Sequence, residues 1–160
     1  MAGSEIGKKA EDKIKQWLDR PDEGYSFDRI YDQMTGFYGS KNIADFTCFK
    51  SPNEYYIESK ATWEDRFDFN MITDTQREGL LQKSKIENVY GWVVVLFASH
   101  KRAFVLDIRD IERCRTELGQ KSLNIRKIMK WPIPYKEIRT VPNNRKQLLD
   151  YTGEIEEYIR

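Results

Sequence analysis

Histidine and cysteine are scarce in this chain: His100 stands alone, and Cys48 and Cys114 are the only thiols. A single imidazole argues against a histidine-rich zinc or iron centre. Two cysteines without a sign of export read as free buried thiols rather than a disulfide framework. There is no apolar run long enough to span a bilayer, and the opening MAGSEIGKKAEDK lacks the apolar stretch of a secretory signal. The expectation is therefore a cytoplasmic protein that avoids membranes. Net charge is nearly absent, with 27 Lys and Arg against 26 Asp and Glu, which argues against coating nucleic acid by bulk charge. Neither an internal repeat nor a linker rich in Gly, Ser or Pro divides the sequence.

What is present suits one globular domain over residues 1–160, with 39% hydrophobic, 33% charged and 13% aromatic residues. The charge balance is uneven along the chain. Lys101 to Lys146 holds thirteen Lys or Arg against five acids, a net of +8, whereas Asp150 to Arg160 holds four acids against one Arg, a net of −3. A localised basic surface and an ordinary solvated mixture both fit that pattern.

Periodicity sets the order of elements. Ile6, Ala10, Ile14, Trp17 and Leu18 predict a helix over 5–19, ended by Pro21. YSFDRIYDQ, NIADFTCFK and NEYYIESKAT read as three strands, the last two joined by a turn at SPN, 51–53. A helix over 73–87 follows, then YGWVVVLFAS, whose continuous apolar run predicts a strand covered on both faces. The strand RAFVLDI and a helix over 108–118 complete the readable part, because Pro132, Pro134 and Pro142 interrupt any long element beyond. The tail DYTGEIEEYIR is read as a closing helix. The fold class is α/β, a mixed central sheet flanked by helices.

Within YYIESKATW an acid and a base fall on one strand face, since Tyr56, Glu58 and Lys60 alternate with Tyr55, Ile57 and Ser59. In the strand before, Asp45 takes a different face from Ala44, Phe46 and Cys48. A hairpin about 51–53 brings Asp45 opposite Glu58, where two carboxylates repel unless they share a cation. Mg2+ suits such oxygen ligands and keeps waters that a phosphate can replace. Glu11 lies at the edge of the first helix's apolar stripe, in the row Gly7, Glu11, Ile14, Leu18. The row Ile72, Gln76, Leu80 points the Gln76 amide at the sheet. Each has an ordinary reading alone: a turn residue at Asp45, a solvated pair at Glu58 and Lys60, a helix pair of Glu11 with Lys15, a surface amide at Gln76. Together, in this order and spacing, they favour one polar site.

Asp45 followed by ESK at 58–60, with a helical Glu upstream and a helical Gln downstream, resembles the PD-(D/E)XK nuclease superfamily, with Ala44 where a Pro is usual. GKKAEDKI is similar to the Gly-x-x-x-Glu opening of Holliday junction resolvases, and ADFTCFKSPNEYYIESKAT resembles the metal-binding strand pair of the RecU type, its Lys followed shortly by Thr62. FDFNMITDTQREGLLQ is similar to that family's segment ending in a helical Gln, with Thr75 where a His often stands. GQKSLNIRKI resembles its C-terminal Gly-x-Lys-Ser segment. The likeness runs from Gly7 to Ile128. Only the short stretch Tyr25 to Ile43 stands where those enzymes insert a stalk, so any stalk is shorter or absent, and a compact, phage-like variant or another DNA endonuclease on the same core fits equally well.

The resemblance implies a restriction-endonuclease-like core and a metal-dependent endonuclease that resolves Holliday junctions by paired symmetric nicks, leaving 5′-phosphate and 3′-hydroxyl ends. Another repair or restriction endonuclease of the superfamily, or a non-cleaving DNA-binding module on the same fold, are the alternatives. It also implies that Asp45, Glu58, the Ser59 carbonyl and Glu11 hold one or two Mg2+ ions, with Mn2+ able to substitute. Lys60 positions the attacking water or stabilises the pentavalent transition state, and Gln76 orients Lys60 or the water. Thr62, Arg66, Arg77 and Lys121 are candidate DNA contacts. Paired nicks imply a twofold homodimer, for which FDFNMI, 67–72, is either an interface or ordinary core.

Overall fold

The computed structural model describes residues 2–31, 42–143 and 148–160. Helix α1, Ala2–Leu18, leads into strand β1, Ser26–Arg29. Strands β2, Phe46–Lys50, and β3, Asn53–Thr62, form an antiparallel hairpin closed by Ser51 and Pro52, with Lys50 opposite Asn53. A short β4, Arg66–Asp68, precedes helix α2, Asp74–Lys83. Strand β5, Val89–Phe97, β6, Arg102–Asp107, and helix α3, Ile108–Glu117, follow. The remainder consists of β7, Ser122–Asn124, β8, Lys136–Glu137, β9, Thr140–Val141, and β10, Asp150–Tyr151, with 3-10 turns between.

The central sheet has the order β1-β2-β3-β5-β6-β8. Only β3 and β5 run parallel, joined by the crossover through α2; every other pairing in it is antiparallel. The fold is thus the mixed sheet flanked by helices that the order of elements predicts. Tyr55, Ile57, Trp92 and Val94 pack with Ile6, Ala10, Ile14 and Trp17 of α1 on one face. Val93, Val95, Phe97, Phe104 and Leu106 pack with Leu80 of α2 and Ile108 and Ile111 of α3 on the other. Because both faces are covered, β5 is buried without interruption from Gly91 to Phe97, which explains its unbroken apolar run.

Several expectations are corrected. β2 begins at Phe46 rather than Asn42, so strict alternation fails upstream: Ala44 packs into the α2 and α3 side while Phe46 and Cys48 pack on the α1 side. Helix α2 stops at Lys83 rather than 87, since the Ser84 hydroxyl donates to Leu80 O at 2.8 Å and accepts from Gly91 N at 3.1 Å, turning the chain into β5. The tail forms β10 and one 3-10 turn, Ile155–Tyr158, whose Ile155 and Tyr158 sit in the α1-side core. FDFNMI resolves to core, with Phe67, Phe69 and Ile72 buried. The first expected strand is shorter, and its positions 32 and 33 lie outside the described residues, as does most of the stretch read in place of a stalk. Cys48 and Cys114 are free and buried, as expected. Among the described residues no helix is long and apolar enough to cross a membrane.

Candidate active site

The hairpin register decides the centre of the site. Phe46 lies opposite Ile57, where the regular pairing ends, and Asp45 N donates to that same Ile57 O at 3.0 Å, which brings Asp45 beside Glu58. Asp45 is held in place by its Oδ2 accepting from Ser59 N at 2.8 Å. Glu58, only 3% exposed, meets Lys60 Nζ at 3.1 Å from its Oε2, and the same oxygen accepts from Gln76 Nε2 at 2.9 Å. The strand alternation and the helical row of Gln76 thus converge on one carboxylate.

Burial is the main reason that the Glu58 carboxyl is pushed up to about 8; the neighbouring Asp45 charge and a hydrogen bond between the two side chains add to the shift, while Lys60 opposes it. Glu11 is also raised, first by burial and then by Asp45, with Arg29 pulling the other way. Asp45 thus acts on both Glu58 and Glu11, yet Glu11 is turned toward Arg29, whose Nη2 donates to its Oε2 at 3.0 Å. Arg29 also donates to Asp45 O at 3.1 Å and lies 3.6 Å from Asp45 Oδ1.

Arg29 is the site residue that sequence reasoning misses. Its position follows from β1 pairing with the next strand, β2, with Arg29 opposite Phe46, a register that no local period announces. Its guanidinium supplies the positive charge between Glu11 and Asp45. Among the described residues no group of three or more His, Cys, Asp or Glu side chains is placed to hold a metal ion. The fit to a hard cation is narrower and rests on Asp45 and Glu58, two adjoining carboxyls whose oxygens are the donor type such an ion takes. Glu11, paired with Arg29, is not part of that set in this arrangement.

The candidate DNA contacts are scattered. Thr62 Oγ1 accepts from Glu64 N at 3.0 Å at the end of β3. Arg77 is taken up by Asp74, Glu78 and Glu112. Lys121 is exposed, and its carbonyl accepts from Phe69 N. Arg66 lines a cleft with Lys127 and Lys130. Much of the basic excess after Lys101 is neutralised, since Arg102, Arg109, Arg113, Arg115, Arg126 and Arg139 each face a carboxylate.

No family model matches the chain, and no curated protein matches its sequence. Among solved structures it is similar to Hjc, a Holliday junction resolvase of the archaeal hyperthermophile Archaeoglobus fulgidus, at 13% identity and a TM-score of 0.47, over 74% of this chain and 88% of that one.

Proposed function

We propose that the chain is a Mg2+-dependent DNA endonuclease of the PD-(D/E)XK type that resolves Holliday junctions by paired symmetric nicks. The observation that carries this reading is the placement of Lys60 Nζ 3.1 Å from Glu58, beside Asp45 on one face of the sheet. A structural salt bridge alone does not call for a second carboxylate, the half-buried Asp45, pressed against the first.

Asp45 and Glu58, with the Ser59 carbonyl, would hold the cation, and Mn2+ would serve in place of Mg2+. When bound, the ion lowers the pKa of a water and neutralises charge developing on the scissile phosphate. Ser59 N fixes the Asp45 carboxylate through a hydrogen bond, so its other oxygen keeps one orientation. Gln76 and Lys60 hold Glu58 from two sides. Lys60 presents an ammonium group that either orients the attacking water or offsets the charge of the pentavalent phosphate. Arg29 steers Glu11 and restrains Asp45, a positioning role. Thr62, Arg66 and Lys121 would touch the DNA backbone, and Arg77 would do so only after leaving its acids. Two symmetric nicks entail a twofold dimer.

The test compares a synthetic four-way junction with its linear arms, with and without Mg2+. Paired nicks in the junction alone are expected, and Lys60→Ala should bind the junction with unchanged affinity while losing cleavage by at least about a hundredfold. Undiminished cleavage by that variant would remove the reading. Equal cutting of linear arms would leave a nuclease of another substrate class.

A further inference from the structure

Among the described residues Arg66 is the one arginine whose side chain meets no carboxylate; the others are paired, from Arg20 with Glu23 and Glu154 to Arg160 with Asp110. It is exposed, on a concave part of the surface. With Ser122, Asn124, Lys127, Lys130 and Trp131 it lines a cleft of about 310 Å³ formed where β4 pairs with β7. Lys127 and Lys130 are exposed and likewise face no carboxylate among the described residues. A concave site lined by three cations that face no carboxylate among the described residues suits an anion.

The aromatic wall narrows the ligand. Trp131 is held in orientation, its indole Nε1 donating to Asn124 O at 2.8 Å and its ring packed against Phe104 and Tyr135 with centroids 5.2 and 5.1 Å away. A fixed, partly exposed indole beside an unpaired guanidinium offers two flat surfaces on which a nucleobase can stack. The volume lies near the lower end for small-ligand pockets, the scale of one nucleotide rather than of a duplex.

Position links the cleft to the site. Lys60 and Thr62 neighbour Val95 and Phe97 across the parallel ladder, so their side chains share the face of the sheet on which Trp131 contacts Phe97 and Phe104. Lys60 and Phe104 are separated by two strand spacings, about 10 Å. At about 3.4 Å of rise per nucleotide, a DNA strand over Lys60 reaches the cleft within roughly three to five nucleotides.

We infer that this cleft receives one unpaired nucleotide of the DNA substrate, its phosphate on Arg66, Lys127 and Lys130 and its base against Trp131. The inference rests on the nuclease reading for its choice of DNA. It makes the enzyme selective for DNA that exposes an unpaired residue near the cut, since an already unstacked base enters a pocket at least cost.

Binding in EDTA tests the cleft without cleavage. Fluorescence anisotropy would compare a blunt duplex with the same duplex carrying a bulged thymidine. The wild type should favour the bulged probe by about tenfold, and the double variant Lys127→Ala, Lys130→Ala should lose that preference while binding the blunt duplex within about twofold of wild type. Both residues are exposed, so an unchanged thermal melt is expected. Trp131→Phe, which keeps the apolar packing, should lower the preference part of the way. An equal loss on both probes, an unchanged preference, or none in the wild type overturns the inference. A chain that cuts junctions yet shows no preference retires the cleft alone; one whose preference depends on Lys127 and Lys130 but that cuts nothing with Mg2+ retires the nuclease reading alone.

Discussion

Glu58 is buried to 3% exposure beside another carboxylate, so its charge opposes its location. In the folded chain its carboxyl is pushed up to about 8, from an ordinary value of 4.5. Between these values the folded state keeps a proton that the unfolded chain has released. The resulting stabilisation is complete below the unfolded value and is lost as pH rises through the folded one. Urea unfolding in EDTA should therefore show stability falling from about pH 5 to about pH 8. Glu58→Gln, neutral throughout, should flatten that slope and exceed the wild type at the alkaline end by on the order of 1–3 kcal/mol. Excess Mg2+ should narrow the gap by stabilising the ionised wild type. Parallel slopes for the two proteins would show that Glu58 keeps its charge by other means. Much of this residue's setting is legible from spacing alone: alternation places Lys60 beside it, and a two-residue hairpin loop places Asp45 across from it. The protonation is not, because it depends on how much sheet and helix cover the carboxyl.

Helix α2 joins its own stability to the geometry of the site. Thr73 Oγ1 accepts from Gln76 N at 3.2 Å, while Gln76 Oε1 accepts from Thr73 N at 3.0 Å, a capping box that satisfies donors the first turn leaves open. The other end of the same amide donates to Glu58. Two variants separate these roles: Thr73→Ala should cost about 0.5–2 kcal/mol in urea unfolding with cleavage largely retained, whereas Gln76→Ala should show a similar loss together with a fall in cleavage. Equal cleavage by the two would mean that the contact with Glu58 does no chemical work. The seat of the helix is set at Gly91, where an added Cβ would lie 2.7 Å from Leu80 O and 2.8 Å from Ser84 Oγ. Gly91→Ala must push the end of α2 away from β5. It should therefore lower both stability and cleavage. The row Ile72, Gln76, Leu80 announces the inward amide in the sequence, whereas the close approach at Gly91 becomes visible only when strand and helix are packed.

At the scale of the whole molecule, the long-range contacts are the part that periodicity leaves unread. Arg29 reaches the site only because β1 lies beside β2, and the C-terminal segment ties itself to residues more than a hundred positions earlier. Trp17 Nε1 donates to Gly153 O at 3.1 Å, and the Tyr25 hydroxyl accepts from Ile155 N at 2.8 Å while donating to Glu154 at 2.9 Å. Lys50 Nζ spans Glu154 at 2.8 Å and Glu156 at 2.7 Å, and Lys13 holds Asp150 at 2.6 Å. The acidic tail that reads as a helix in the sequence is thus a clasp, its charges neutralised by residues of α1 and the β2 end, and its Ile155 and Tyr158 completing the core. Lys50 and Tyr25 hold the Glu154 carboxyl below its usual range, and Lys13 does the same for Asp150. For such depressed groups the sign is opposite to that of Glu58: their stabilisation is present above the unfolded values and is lost as pH falls through the folded ones. Lys50→Ala should therefore lower the urea midpoint near neutral pH, by no more than about 1 kcal/mol because Glu154 and Glu156 are partly solvated. The difference from wild type should shrink with added salt and vanish near about pH 2, where the acids are protonated in both proteins. A deficit that persists unchanged into acid would assign the role of Lys50 to the packing of its aliphatic stem on Tyr25, over whose ring its ammonium lies at 5.1 Å, rather than to its charge.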